Sequence, residues 1–300
     1  MPVADIEELA REFTSHGTRA AVITHGGTMS ANGFYTAWAI MMLNAMIGNL
    51  NAKGGAVASG GKFDPFGAGP RYDLSSFPGM VKPAGVFLSR SKFPYEKTSE
   101  YRRKKEAGQN PYPAHEPWFP ISGPLLGEHL TAAVSGYPYR AKAWINHMGN
   151  PLYGQAGLHQ AIGEQLKDPK VLPLFVSIDS FINESSALSD YIVPDTLTYE
   201  SWGWATAWHG VMTKVSTGRW PVVEPRVAKT SEGDPVCMES FLIAVAKRLG
   251  LPGFDEGALK GADGKLHGLH KAADFSLYGA ANSTTGNVRL SGGPCPRHWA

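Results

Sequence analysis

Two apolar runs in the sequence end in polar side chains of the kinds that bind nucleotides. The run LPLFVSID closes with Asp179, and the run AWIN closes with Asn146. A carboxylate at the end of a buried strand can accept two hydrogen bonds from a ribose or from the N1/N2 edge of guanine. The same carboxylate could instead cap the element that follows it. Asn146, with the glycine and proline after it, is equally typical of an ordinary turn.

Two histidines and a cluster of tryptophans are the other residues that could do chemistry. His25 and His147 each follow an apolar run, which invites an acid–base or metal role, but no hydrolase or kinase motif accompanies them. A satisfied structural histidine is therefore favoured at both positions. Residues 200–210 hold three of the eight tryptophans, which favours a buried interface over a pocket wall. The sequence predicts no catalytic residue and no metal ligand in this chain.

The elements that must position these residues alternate between strands and helices. Apolar runs at 141–145, 172–178 and 191–193 predict strands, and helical spacing at 157–166 and 239–249 predicts helices. Such alternation is typical of parallel βαβ units, so we expect an α/β fold: a three-layer α/β/α domain with a mostly parallel sheet. Ligands of such sheets lie beyond the carboxyl ends of the strands, where Asn146 and Asp179 stand.

Changes in composition along the chain predict four segments. Residues 1–55 read as a strand, a glycine turn and a helix of an α/β domain, with an amphipathic helix before them. Residues 56–140 have little periodicity and abundant Gly and Pro, which predicts an irregular insertion with one short helix near its end. Residues 141–250 form the α/β domain that carries the strand-end residues. Residues 251–300 are expected to be irregular, with a disordered tail.

Composition excludes several classes of protein. The chain has 28 Lys+Arg against 26 Asp+Glu, and a net charge of +2 is too small for a surface that binds nucleic acid. Hydrophobic residues make up 43% of the chain, which excludes disorder of the whole. No apolar run approaches the roughly 20 residues of a membrane span, and the acidic start does not read as an export signal. Two cysteines, Cys237 and Cys295, are too few for an iron–sulfur cluster with its usual four or so ligands.

Four motifs, in their order along the chain, resemble the molybdopterin oxidoreductases of the dimethyl sulfoxide reductase family. They are IGNLNAKGG at 47–55, AWINHMGNPLYG at 143–154, SALSDYIVP at 186–194 and ESWG at 200–203. The similarity covers roughly residues 2–273. Four matches in the family's order are far more specific than any one of them alone.

The resemblance implies a set of cofactor-binding residues at strand ends and turns. His25, Gly26 and Met29 correspond to positions that flank the cofactor after the first strand of the family's fold. Asn146 corresponds to an Asn at a strand end, and Asp179 to the carboxylate that recognises a guanine or its ribose. Ser201, which replaces a Lys of some relatives, and Asp234 correspond to the remaining guanosine-side positions.

The resemblance also implies cofactors, partners and a location. Family members bind molybdenum between two molybdopterin guanine dinucleotides, carry a [4Fe-4S] cluster and reduce sulfur or other oxyanion compounds by two electrons. They commonly work in the periplasm with an iron–sulfur subunit and a membrane anchor subunit. The cluster cysteines, the molybdenum ligand and the C-terminal cofactor domain of the family have no counterpart in the matched residues. We therefore expect an internal piece of such a subunit that supplies guanosine binding, without nucleic-acid binding or membrane insertion of its own. The alternative is a free-standing nucleotide-binding or interaction module of the same fold without redox activity.

Overall fold

The structure is a computed structural model whose chain divides into two compact units. The larger unit comprises Phe66–Gly203 and Arg219–Asn282, and the smaller comprises Met1–Pro65, Trp204–Gly218 and Ser283–Ala300. The structure describes residues 1–23, 33–56, 67–69, 71–81, 88, 94–116, 126–206, 216–254 and 257–283. No helix among these residues is long and apolar enough to cross a membrane.

A three-stranded parallel sheet forms the centre of the larger unit, which confirms the α/β class. Its strands are β1 (Trp144–His147), β2 (Phe175–Asp179) and β3 (Tyr191–Pro194), in the order β1-β2-β3. The register pairs Asn146 with Ser177 and Asp179 with Pro194. The carboxyl ends of all three strands therefore meet at one edge of the sheet.

The central strand β2 is apolar because both of its faces are covered. Phe175 is 1% exposed and stacks on Trp144 of β1 at 4.2 Å between ring centroids. Three helices pack with Phe175 into one core: α4 (Leu126–Ser135), α5 (Pro151–Gly154) and α6 (Leu158–Leu166). Helix α4 confirms the short helix expected near the end of the insertion. Helices α5 and α6 provide the crossover that a parallel pair of strands requires.

A fourth helix, α7 (Met238–Arg248), contacts β3 and begins at an N-cap formed by Cys237. Its buried residues Ile243 and Ala246 lie three positions apart, as one face of a helix requires. The acidic Glu239 in its first turn and the basic residues in its last turn match the helix dipole. These features account for the helix predicted at 239–249.

The segment after residue 250 is ordered where the structure describes it, so its expected irregularity is wrong up to Ser283. Strands β6 (Leu259–Lys260) and β7 (Leu266–His267) form an antiparallel pair, and helix α8 spans Ala272–Ser283. The α8 side chain of Asn282 accepts a hydrogen bond from the Tyr72 backbone N–H (2.8 Å) and donates one to the Tyr72 carbonyl (2.9 Å). This long-range pairing fixes α8 although the segment lacks a hydrophobic period. Residues 284–300 lie outside the described residues.

The insertion also contains a well-ordered element that its composition did not predict. A 3₁₀ turn (Tyr95–Lys97) leads into helix α3 (Ser99–Glu106), whose Glu100 is 6% exposed. The Glu100 carboxylate pairs with Lys104 at 2.8 Å and accepts hydrogen bonds from the His115 backbone N–H (2.8 Å) and from the Tyr137 hydroxyl. A buried polar network therefore replaces apolar periodicity as the source of order.

In the smaller unit, helices α1 (Val3–Ser15) and α2 (Gly33–Met46) form as their spacing predicts. The expected strand at 20–24 is not formed in its described residues, 20–23. The Asn44 side chain instead accepts from the Val22 backbone N–H (2.9 Å) and donates to the Val22 carbonyl (2.7 Å). One amide side chain thus takes the place of a neighbouring strand. Residues 204–206 and 216–218 of this unit belong to strands β4 (Gly203–Thr206) and β5 (Ser216–Arg219), which form a two-stranded sheet.

Candidate functional site

The ends of the parallel strands place their side chains on two opposite faces of the sheet. Successive side chains of a strand alternate between faces, and the register places Asn146 beside Ser177 and His147 beside Ile178. Asn146, Ser177 and Asp179 therefore share the face that bears Phe175. His147 and Ile178 share the other face.

The Asp179 carboxylate is held in one orientation at the end of β2. One oxygen, Oδ1, accepts a hydrogen bond from the Phe181 backbone N–H (3.1 Å), and Oδ2 accepts one from the Asn183 side-chain amide (3.0 Å). The side chain thus shapes the following loop, which is the capping role that the sequence left open. A carboxylate offers about four lone-pair sites, so one site on each oxygen is left for a ligand.

Asn146 closes the turn after β1. Its side-chain amide is 7% exposed and donates to the Gly149 carbonyl at 2.7 Å. Met148, inside this turn, has a φ of 48°, a left-handed conformation that is rare outside glycine and that marks local strain. The turn interpretation of this motif is therefore confirmed, and a contact between Asn146 and a ligand stays a prediction.

The turn after β1 is fastened to the loop after β2. The Asn150 side chain accepts hydrogen bonds from the hydroxyl (2.9 Å) and backbone N–H (3.2 Å) of Ser185. It also donates to the Glu184 carboxylate. Ser185 is fully buried, and its hydroxyl accepts from the Leu152 backbone N–H at 3.1 Å. These bonds give the carboxyl edge of the sheet a fixed shape.

Two buried hydroxyls near Asp179 have no hydrogen-bond partner. Ser177 Oγ and Ser180 Oγ are shielded from solvent and unpaired, and Ser177 is fully buried. Almost all buried polar atoms in proteins are satisfied, so a buried water is the expected partner of each hydroxyl. The half-buried Asp179 carboxylate, which remains accessible, suits the N–H and O–H donors of a guanosine.

Ser201 and Asp234 lie together in a pocket of about 510 Å³ that Asn146 and Asp179 do not line. Trp202 also lines it, so the tryptophan segment contributes at least one side chain to a pocket wall. The Ser201 hydroxyl accepts from the Arg219 guanidinium at 3.0 Å. Burial raises the pKa of the Asp234 carboxyl, and Lys271, which also lines the pocket, opposes that shift. The pocket thus offers a carboxyl group and a hydroxyl beside an aromatic wall.

Sequence reasoning missed the pairing of His147 with Asp195. His147 Nε2 lies 2.9 Å from Asp195 Oδ2, and Asp195 is 8% exposed. Asp195 Oδ1 also accepts from the backbone N–H groups of Thr196 (2.9 Å) and Met238 (3.1 Å). His147 is therefore a satisfied histidine, as expected, and Asp195 is its partner. The signal was present in the sequence, because Asp195 follows β3 just as Asp179 closes β2.

Asp195, Cys237 and Glu239 bring their ligand-type atoms within 4.8 Å of one another. The start of α7 accounts for this grouping, since Cys237 is the N-cap and Glu239 stands in the first turn. Burial raises the pKa of the Cys237 thiol. Asp195 accepts the Met238 backbone N–H, Cys237 caps the helix and Glu239 lies in its first turn, so all three residues contribute to the start of α7.

The remaining residues implied by the resemblance, His25, Gly26 and Met29, lie outside the described residues. The residues present fit one of the cofactor groups that the resemblance implies and do not fit another. The strand-end carboxylate of Asp179 suits a guanosine. Two cysteines in the sequence do not suit a [4Fe-4S] cluster, which needs about four ligands.

The fold and site define an α/β protein whose polar groups gather at the carboxyl edge of a parallel sheet, the usual ligand position in this class. No protein-family profile matches the chain. A tetrathionate reductase subunit from Salmonella typhimurium is 55% identical over 94% of the chain and 28% of that protein. A tetrathionate reductase subunit from Archaeoglobus fulgidus is 34% identical, and a selenate reductase subunit from Mesobacillus selenatarsenatis is 32% identical, each over 94% of the chain.

The chain spans about a quarter of the length of these relatives. Its resemblance to molybdopterin oxidoreductases is confirmed, because almost the whole chain is homologous to a segment of these reductase proteins. The relation in length agrees with the expectation of a piece of a longer catalytic subunit.

Proposed function

We propose that this chain is part of the catalytic subunit of a molybdenum oxidoreductase that reduces tetrathionate or a related sulfur oxyanion. Within it, the chain binds a guanosine of the molybdopterin guanine dinucleotide. The reductase assignment is supported by 55% identity over 94% of the chain to a protein of tetrathionate reductase. The guanosine assignment is supported by the structure of the strand ends.

One observation carries the guanosine assignment: hydrogen bonds from the Phe181 N–H and the Asn183 amide orient the half-buried Asp179 carboxylate at the sheet edge and leave one site open on each oxygen. Guanine offers an N1–H and an N2–H₂ on the same edge, and a carboxylate with one open site on each oxygen can accept both. Adenine lacks this pair of donors.

The roles of this chain's residues are binding and orientation. When bound, the cofactor would supply a molybdenum centre that exchanges two electrons with the oxyanion. Asp179 holds the base edge, and the fastened loops after β1 and β2 limit the positions that the base can adopt. We assign Ser201 and Asp234 to a further contact with the cofactor in their own pocket. Asn146 acts by closing the turn beside Asp179.

The finer architecture and setting belong to the same proposal. Helices α4 to α6 would form one layer and α7 another, with the sheet between them, and residues 56–140 would be the Gly/Pro-rich insertion. In the complete protein the remaining domains of the catalytic chain, an iron–sulfur electron-transfer subunit and a membrane anchor subunit are the proposed partners. The proposed location is the periplasm.

Replacing Asp179 tests the guanosine assignment directly. GDP should bind the 300-residue chain at least about tenfold more tightly than ADP, because a charged hydrogen bond contributes about 1.5–3 kcal/mol. Asp179→Ala should remove that preference in titration calorimetry. Asp168→Ala is the matched control, because Asp168 likewise accepts a backbone N–H two residues ahead, at Lys170, away from the strand ends.

Equal affinities for GDP and ADP in the parent chain, or an unchanged preference in Asp179→Ala, would remove Asp179 from the site. In the complete catalytic chain, Asp179→Ala should lower both bound molybdenum and the turnover of tetrathionate with reduced viologen. Unchanged metal content and turnover there would contradict a cofactor role for this edge of the sheet.

A further inference from the structure

The loop after β2 contains a side chain that fixes the direction of the Asp179 carboxylate. Asn183 donates from its amide nitrogen to Asp179 Oδ2 at 3.0 Å. Its amide oxygen accepts from the backbone N–H groups of Ser185 (3.1 Å) and Ser186 (2.9 Å). Both ends of the Asn183 amide are therefore engaged, and only one of its two orientations gives the Asp179 oxygen a donor.

The backbone around Asn183 is fixed as well. The Ser186 hydroxyl accepts from the Asn183 N–H at 2.8 Å, and the Asn183 carbonyl accepts from the Ala187 N–H at 2.8 Å. Ser186 is fully buried and begins the 3₁₀ turn Ser186–Leu188. Asn183 thus reaches Asp179 from a rigid segment, and its rotamer is determined before any ligand arrives.

We propose that Asn183 is a positioning residue that holds the Asp179 carboxylate with one lone pair of each oxygen open to a ligand. The inference rests on the proposed guanosine function, and it names the residue that gives that site its selectivity. The Phe181 N–H and the Asn183 amide each occupy one oxygen of the carboxylate, so its rotation about the side-chain bond is blocked. A bidentate donor such as the guanine edge then meets a carboxylate that loses little entropy on binding.

Two substitutions at Asn183 separate positioning from simple packing. Asn183→Ala removes the donor and the acceptor together. Asn183→Asp keeps the acceptor for Ser185 and Ser186 but replaces the donor with a second carboxylate next to Asp179. Two carboxylates in contact share a proton when the pH falls, and the protonated one can donate to the other. The aspartate variant therefore loses the donor at high pH and regains it at low pH.

The experiment measures binding of guanosine and adenosine to the 300-residue chain between about pH 5 and pH 8. Asn183→Asp should lower the preference for guanosine by about tenfold at pH 8 and recover much of it at pH 5. Asn183→Ala should lower it at both pH values. Asn110→Asp is the matched control, because Asn110 also accepts a backbone N–H, from Tyr112, in a distant loop. A purely structural role would weaken both nucleosides alike and would show no recovery at pH 5.

A second measurement needs no ligand. The Phe181 amide donates to the carboxylate that Asn183 steadies, so its hydrogen exchange at pH 8, followed by NMR, should be faster in both Asn183 variants and unchanged in Asn110→Asp. If the parent chain shows no guanosine preference, the proposed function is wrong, and this exchange rate alone decides whether Asn183 positions Asp179. An unchanged Phe181 exchange rate, or a full guanosine preference in Asn183→Asp at pH 8, overturns the inference.

Discussion

Replacing Glu100 by Gln should destabilise the insertion in a manner that depends on pH. Burial by itself raises the pKa of the Glu100 carboxyl, but hydrogen bonds from Lys104, Tyr137 and His115 outweigh burial and lower the pKa from 4.5 to about 2. The folded state therefore holds this carboxyl ionised more strongly than the unfolded state does. Gln keeps the size of the side chain and loses its charge.

The magnitude follows from the shift in pKa. A change of about 2.5 units corresponds to about 3.4 kcal/mol of unfolding free energy, because one unit is worth about 1.36 kcal/mol. Lys104 is a quarter exposed, so solvent screens its part of the network, and we expect a loss of about 2 kcal/mol at pH 7. The stabilisation is fully present above pH 4.5 and disappears as the pH falls towards 2, because the unfolded carboxyl takes up its proton first.

This effect is measured by urea unfolding of the parent chain and of Glu100→Gln at pH 7, 5, 4 and 3. Hydrogen exchange of the His115 amide is measured alongside. The difference between the two proteins should be largest at pH 7, shrink through pH 4 and pH 3, and vanish only as the pH approaches 2. Glu106→Gln is the control, because Glu106 is the exposed last residue of the same helix. A Glu100→Gln chain as stable as Glu106→Gln at pH 7, or a difference that persists unchanged at pH 3, would refute the electrostatic reasoning.

Two further predictions concern the start of α7. Asp195→Ala leaves His147 and two backbone N–H groups without their acceptor, so urea unfolding should show a loss of about 3–5 kcal/mol; a loss under about 1 kcal/mol would show that water replaces the carboxylate freely. Cys237 is 3% exposed and burial raises the pKa of its thiol, so iodoacetamide should modify it slowly at pH 8 in a folded Cys295→Ser chain and rapidly in urea. Equal rates in the two conditions would contradict the burial of this thiol.

The sheet and its edge could be predicted from the sequence because they depend on local pattern. A buried parallel strand is largely apolar, and in FVSID only Ser177 and the closing Asp179 are polar. The topology of the sheet alone then predicted that the polar residue at the end of this strand lies at the edge where ligands bind. The position of Asp179 followed from this reasoning. The two hydrogen-bond donors to Asp179 could not be predicted, because Asn183 contacts it through a loop whose shape leaves no periodic pattern in the sequence.

Order that comes from single polar side chains could not be predicted in the same way. Asn282 pairs with Tyr72 across 210 positions of sequence, and Glu100 gathers donors from α3, from His115 and from Tyr137. Neither network produces a periodic pattern of apolar residues in its segment, so the sequence predicted irregular structure for both segments. Asp195 differs from these cases, because it stands at a strand end like Asp179 and the same topological rule would have found it.

The alternation of side chains along β2 also determines which changes in chain length this region tolerates. Deleting one residue between Phe175 and Asp179 would place these two side chains on opposite faces of the sheet, so either Asp179 would turn to the face of His147 or Phe175 would leave its core. A residue added at the exposed Pro169 and Lys170, before β2, would leave the alternation of side chains within the strand unchanged. Related sequences should therefore differ in length between their strands and keep the spacing from Phe175 to Asp179 constant.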